Sequence, residues 1–251
     1  MTLKELMTNP AGKGDSSMTN RAILLSLLDS RYYDYIKEKE IKCKFFKQLN
    51  ANVYYIVMKV PTLKSRDNSY DIVFQLSDEK SLYSNSTSIV DYDIKVFSNC
   101  PSFVYTFAKV YKDNGLFIEL LSEKLPKINL TQAPEVRNRY GIVNHDKYLY
   151  IAAKYLYESR STLLNKSTLS LRCVTFSKPV LLQSVRTFDQ IMNEYQKAER
   201  ALRRKVKEEN VTKSVSPVTR TNREGVTKVK PKEKKAKVEH KTPKNHRVTK
   251  R

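Results

Sequence analysis

Apolar and polar positions change period several times along this chain, and the changes divide it. Residues 1–19 show no period; Asn9, Pro10, Gly12, Gly14 and the Ser16-Ser17 pair read as a flexible leader. Ala22 to Leu28 is a short apolar run behind Asn20, a candidate cap, and predicts a short helix. Apolar residues at Tyr32, Tyr33, Tyr35 and Ile36 favour a helix over Arg31–Glu40. Ile41, Cys43 and Phe45 then alternate with Lys42 and Lys44, the pattern of a half-buried strand. Val53 to Val60 is β-branched and aromatic and stops at Pro61, and the two runs make a hairpin. Tyr70–Leu76 and Asp91–Phe97 are two further strands across a Ser-rich loop, so a mostly antiparallel sheet of about four strands is expected.

Helical spacing takes over after that. Pro101 lies in the first turn of a helix whose apolar face is Phe103, Phe107, Val110 and Tyr111, with Asn114-Gly115 as its stop. Leu116–Leu125 predicts a second short helix, closed by Pro126. Asn144 is the expected cap of a helix running through Tyr157, and Leu169–Phe176 alternates like a strand. Thr187 with Gln190 makes a capping box for a long final helix that turns purely charged near Arg203. The expectation is an α+β domain over residues 20–208: a mostly antiparallel sheet flanked by helices.

From Val211 to the last residue there is no Leu, Ile, Phe, Tyr or Met. Such a segment buries too little surface to offset backbone ordering entropy, so residues 209–251 are expected to be a disordered basic arm. Charge sharpens this division. The chain carries +21 in all, and residues Ala201–Arg251 hold 18 Lys/Arg against 5 Asp/Glu, a net of +13. The other two hundred residues carry 29 against 21 and are only mildly basic.

A one-sided charge of that kind suits a phosphate backbone, because each neutralised phosphate releases a counterion whatever the base sequence. The residues assigned to that contact are Arg203, Arg204, Lys205, Arg220, Arg223, Lys228, Lys230, Lys232, Lys234, Lys235, Lys237, Lys241, Lys244, Arg247, Lys250 and Arg251. None of them stands beside an aromatic ring that would stack on bases, so the arm is expected to bind DNA, or another polyanion, without reading sequence. An acidic protein is the other partner that fits.

Candidate chemistry adds little. Asp71 with Asp93-Ile94-Lys95 imitates the carboxylate pair and lysine of metal-dependent nucleases, which gives an alternative reading. Cys100 at a helix start would need a base, and the only histidine before the arm is His145, with no Asp or Asn tied to it by recognisable spacing. Cys43, Cys100 and Cys173 are odd in number and far apart, which argues for a reducing compartment. With no C-x-x-C and no clustered His, the sequence assigns no metal, no cofactor and no catalytic residues. Its longest apolar run falls well short of a membrane span, so no membrane partner is expected. Sixteen Tyr, among them Tyr32, Tyr33, Tyr35, Tyr148, Tyr150, Tyr155 and Tyr157, are more than one core face needs and suggest a protein-docking surface.

The stretch from Tyr92 through Ser98, Asn99, Cys100 and Pro101 to Ala108, and Val136-Arg137-Asn138 ahead of the Tyr-rich helix, resemble a group of proteins from tailed bacteriophages of low-GC Gram-positive hosts. The likeness covers about residues 40–160 and contains no catalytic motif. It implies a viral structural or assembly protein, made in the host cytoplasm and carried into the virion if it joins the particle. Its partners would be other viral proteins. A nucleic-acid-binding accessory protein working outside a particle is the alternative. No oligomeric state follows from the sequence.

Overall fold

A computed structural model describes residues 1–8, 33, 34, 36, 37, 40–49, 51–62, 68–78, 89–134, 138, 141 and 143–214. Residues 1–207 make one compact unit that contains the whole core, and residues 208–251 form a second. The fold is α+β, a five-stranded and mostly antiparallel sheet flanked by helices.

The chain opens with α1 (Leu3–Thr8). This corrects the expected leader: Leu3 and Leu6 are buried in the core. Thr2 and Glu5 form a reciprocal capping box, Thr2 N–H to Glu5 at 2.8 Å and Glu5 N–H to the Thr2 hydroxyl at 3.2 Å. That signal, T-x-x-E over an i, i+3 leucine pair, is present in the sequence. The rest of the leader and the helix expected at Ala22–Leu28 lie outside the described residues. Between Arg31 and Glu40, the described residues 33, 34, 36 and 37 are helical.

Four strands follow in a meander, β1 (Lys42–Lys47), β2 (Val53–Pro61), β3 (Ser69–Ser77) and β4 (Asp93–Ser98). The register sets Phe45 beside Ile56, Phe74 and Val96 on one face, and Lys44 beside Val57, Val73 and Phe97 on the other. Five of those apolar side chains, Ile56, Phe74, Val96, Val73 and Phe97, are completely buried. Both faces are therefore covered, where alternation in β1 alone suggested one.

After the sheet come α2 (Pro101–Thr106) and α3 (Ala108–Asp113). The single helix expected here is interrupted at Phe107, whose φ of −123° leaves the helical region. Gly115 at φ +66° ends α3 in the left-handed conformation that glycine adopts without strain. The run Leu116–Leu125 is not one helix. Its first residues pair with the edge of β4, Val96 N–H to Leu116 at 2.7 Å and Ile118 N–H to Val96 at 3.2 Å, before a 3₁₀ turn at Glu119–Lys124.

The remaining elements are α4 (Lys127–Thr131), α5 (Lys147–Glu158), α6 (Arg160–Leu163), α7 (Lys166–Arg172), β5 (Val174–Thr175), α8 (Lys178–Ser184) and α9 (Phe188–Ser214). Asp146, not Asn144, caps α5; its carboxylate accepts from the N–H groups of Tyr148 and Leu149. Half of the strand expected over Leu169–Phe176 is helix, since Asn165 caps α7, and only Val174 and Thr175 pair, in parallel, with β1. Leu169 is buried while Leu171 is 89% exposed, so the apparent alternation did not describe one face.

Helix α5 covers the Phe74 face, where Tyr148 meets Tyr70 edge-on at 4.7 Å. Phe176 stacks on Tyr55 at 4.8 Å on the opposite face. The capping box at α9 is formed, with Thr187 N–H to Gln190 at 2.9 Å and Gln190 N–H to Thr187 at 3.2 Å. That helix continues six residues past the boundary expected at 208.

Candidate functional site

The sequence-assigned basic residues begin on α9. Its N-terminal turns are anchored through Phe188 and Ile191, both buried, but Ala201 to Val206 are all exposed. Arg203, Arg204 and Lys205 thus stand in solvent, with Arg203 bonded to Glu199 at 2.8 Å one turn earlier. Lys197, Arg200 and Arg204, at i, i+3 and i+7, share one side of the helix. The other assigned residues, Arg220 through Arg251, lie outside the described residues.

The mild excess of the folded part is not spread evenly either. Segments 41–48 and 160–185 contain seven Lys/Arg and no Asp or Glu. The β1–β5 pairing brings them together, and Lys42, Lys44, Arg172 and Lys178 are exposed there. The thiol of Cys43, beside Arg172, is pushed up to about 12 by burial, which the arginine offsets only in part.

Two buried polar clusters lie at the C-terminal end of β4. In the first, Asp71 is wholly buried and bound by Arg186, whose Nη2 donates to Oδ1 at 2.6 Å while its Nε and backbone N–H donate to Oδ2 at 3.0 and 2.8 Å. Asn99 bridges the same groups, accepting from the Asp71 N–H at 2.8 Å and donating to the Arg186 carbonyl at 3.1 Å. Arg186 also reaches Glu194 at 2.7 Å and Ser69 at 2.9 Å. This network ties the start of α9 to β3.

The second cluster sets Cys100 and Tyr111 near Asp146, and His145 precedes Asp146 in the chain with its ring against Tyr150. All four are buried, and the Tyr111 hydroxyl, both His145 nitrogens and Asp146 Oδ2 make no hydrogen bond to another described residue. The Cys100 thiol lies within hydrogen-bonding reach of the Asp146 carboxylate. Burial raises Cys100, and the Asp146 charge adds to that. Burial also lifts Asp146 to about 6, against the pull of its Tyr148 and Leu149 N–H partners, and lowers His145 to about 4. A protonated thiol and a histidine turned toward Tyr150 do not form a nucleophile and its base.

The nuclease-like trio is taken apart by the sheet. Asp93 sits opposite Ser77 at the far end of β3 from Asp71, six residues away, or roughly 20 Å at strand rise. It is paired with the Met1 amino group at 2.9 Å, and Lys95 faces solvent across from Gln75. Two carboxylates so placed cannot share an ion. No three His, Cys, Asp or Glu side chains among the described residues are grouped to hold a metal, and no helix among them is long and apolar enough to cross a membrane.

Five of the seven tyrosines singled out in the sequence lie among the described residues. Tyr33 and Tyr148 are core residues, and Tyr150, Tyr155 and Tyr157 are half-buried; Tyr32 and Tyr35 lie outside the described residues. Tyr33 donates to Glu158 at 2.6 Å, and Lys154 lies 4.1 Å from its ring centre. The Tyr33 and Tyr148 rings thus serve to pack α5 within the domain. No family model, no curated protein and no solved structure matches this chain.

Proposed function

We propose that the protein acts by binding, as a structural or assembly protein of a tailed phage whose basic C-terminal region contacts DNA. The observation that carries the reading is the placement of charge. A net of +13 lies in the last 51 residues, and it begins where α9 leaves the core and Arg203, Arg204 and Lys205 enter solvent. A folded unit thereby carries a polycation at one end, a form that neutralises phosphates without a shaped site. The viral part of the reading rests on the likeness over Tyr92–Ala108. Those residues are β4, the Asn99–Cys100 loop and α2, which are core elements, so the likeness bears on the scaffold more than on chemistry.

The test is duplex DNA binding by the full-length protein across a salt series. Affinity is expected to be nearly independent of sequence, with log K falling by about 0.9 for each phosphate neutralised per tenfold rise in salt. Replacing every Lys and Arg from Lys213 to Arg251 by Gln removes most of that affinity and flattens the slope. Unchanged affinity and slope in that variant would move the site to the folded surface. Mass spectrometry of purified particles separates a virion component from an accessory protein.

A further inference from the structure

The two edges of the sheet are treated differently. The β4 edge is covered: residues 116–118 pair with Val96, and the Ile94 N–H bonds the Met1 carbonyl at 2.8 Å. Covering an edge in this way removes a template for unwanted pairing. The other edge is β5, two exposed residues long. Phe176 N–H is spent on Lys47 at 2.7 Å, so by strand alternation the Thr175 N–H and C=O point away from β1. No backbone group among the described residues meets them.

Beside this edge runs a groove of about 540 Å³, with buried Phe45 and Phe46 beneath it and Val174 and Val180, 60% and 42% exposed, along it. Lys44 and Arg172 line it as well. Open backbone, an apolar channel and one-signed charge thus coincide.

We propose that this edge docks an acidic, extended segment of a partner protein. Its apolar side chains fill the groove, its Asp and Glu meet Lys42, Lys44, Arg172 and Lys178, and its backbone pairs with Thr175. Charge selects this occupant from the others. A second copy would set an equally basic edge against this one, and the chain's own residues from Val211 onward carry a net of +11. Duplex DNA would answer the charge but leave Val174 and Val180 in water, and the groove shows no exposed ring for base stacking. Only an extended acidic peptide uses all three features, in the strand-addition mode. The inference stands whether or not the arm binds nucleic acid.

The probe is a labelled ten-residue peptide with Val or Ile at alternate positions and Asp or Glu between them, titrated into the full-length protein and read by fluorescence anisotropy. Lys44→Glu with Arg172→Glu is expected to weaken binding by at least about tenfold, and Val180→Asp, on a separate element, to weaken it comparably. The variant with Gln for every Lys and Arg from Lys213 to Arg251 retains the affinity. A peptide of the same composition with its acidic residues in one block binds at least about tenfold more weakly, because its apolar side chains no longer share a face. Unchanged melting temperatures exclude misfolding as the cause, and all the substituted groove side chains are at the surface. The proposal is overturned if the peptide does not bind, or if binding survives groove reversal and disappears with the arm charges. It is equally overturned if an oligonucleotide of equal charge displaces the peptide and is itself weakened by groove reversal, which would make the edge a phosphate site.

Discussion

Asn99 and Cys100 are neighbours in the loop between β4 and α2, yet they serve different buried polar clusters. Asn99 belongs to a network in which Asp71 accepts from the side chain and backbone of Arg186, and Arg186 spends its remaining donors on Ser69 and Glu194. Cys100 adjoins Asp146, one of whose carboxylate oxygens lacks a described partner, as does the Tyr111 phenol near it. Both clusters are paid for in desolvation, but only the first recovers that cost through geometry. The difference separates a structural tie from a region whose energy responds to solution conditions.

Removing the tie gives the largest expected effect. Arg186→Met leaves the Asp71 carboxylate buried and unpaired, which costs about 3–5 kcal/mol. The pair with Glu194 contributes little of this, since Glu194 is 43% exposed. Replacing both partners, Asp71→Leu with Arg186→Met, is expected to recover much of the loss, because an apolar pair leaves no stranded charge. Urea unfolding at pH 7 measures both. A cost below about 1 kcal/mol for the single change would mean that Asp71 is not held as a buried ion, and the contrast between the clusters would fail.

How much of this the sequence discloses depends on the range of the interaction. Strands β1 to β4, the glycine stop after α3 and the Thr187–Gln190 capping box are local patterns, and each is read correctly. The capping box at Thr2–Glu5 is just as local, but it stands in a stretch whose turn-forming residues masked it. Neither polar cluster is legible. Asp71 and Arg186 are 115 positions apart, and nothing at either position marks the other. Asp146 directly follows His145, yet its nearness to Cys100 exists only after β4 and α5 pack. The mistaken strand at Leu169–Phe176 has a related cause: leucines two apart imitate period two, and tertiary burial decides which of them is inside. The charge of the folded part is a third case, since 41–48 and 160–185 become one basic edge only through β5.

The second cluster is expected to respond to pH in two opposed ways. Asp146 has its value raised from 3.8 to about 6 on folding, so the folded state holds the proton more tightly and stability falls as pH rises through that window. His145 is lowered from 6.5 to about 4, so the unfolded state holds that proton more tightly and stability rises as pH climbs through nearly the same window. Each shift of about two units corresponds to about 3 kcal/mol, and in the native protein the two largely cancel. Relative to the native profile, His145→Phe is expected to lose stability between pH 4 and 6. Asp146→Asn, which keeps a capping side chain, gains stability from pH 4 to 6.5. Urea midpoints across that range test this, and coincident profiles for all three proteins would show that neither group titrates as buried.

Tyr111→Phe probes the same cluster with the smallest effect. The Tyr111 ring is fully buried and packs edge-on against Phe103 at 5.2 Å, and phenylalanine preserves that contact. What changes is one hydroxyl with no described partner, which burial keeps protonated, with the nearby Asp146 charge adding to that. A buried hydroxyl that recovers no hydrogen bond costs about 1 kcal/mol or more, so its deletion is expected to leave stability unchanged or raise it by about that amount. A loss of about 1 kcal/mol would instead mean that the hydroxyl is bonded, as through an internal water. The pH series decides between these outcomes. A hydroxyl that donates to Asp146 through water favours the carboxylate, so removing it would raise the Asp146 value further and carry the loss of stability to higher pH. A hydroxyl without a partner leaves that profile where it is, and the two clusters then differ as the structure draws them: Asp71 bound by a charged partner, and Asp146 held by its helix and the Cys100 thiol.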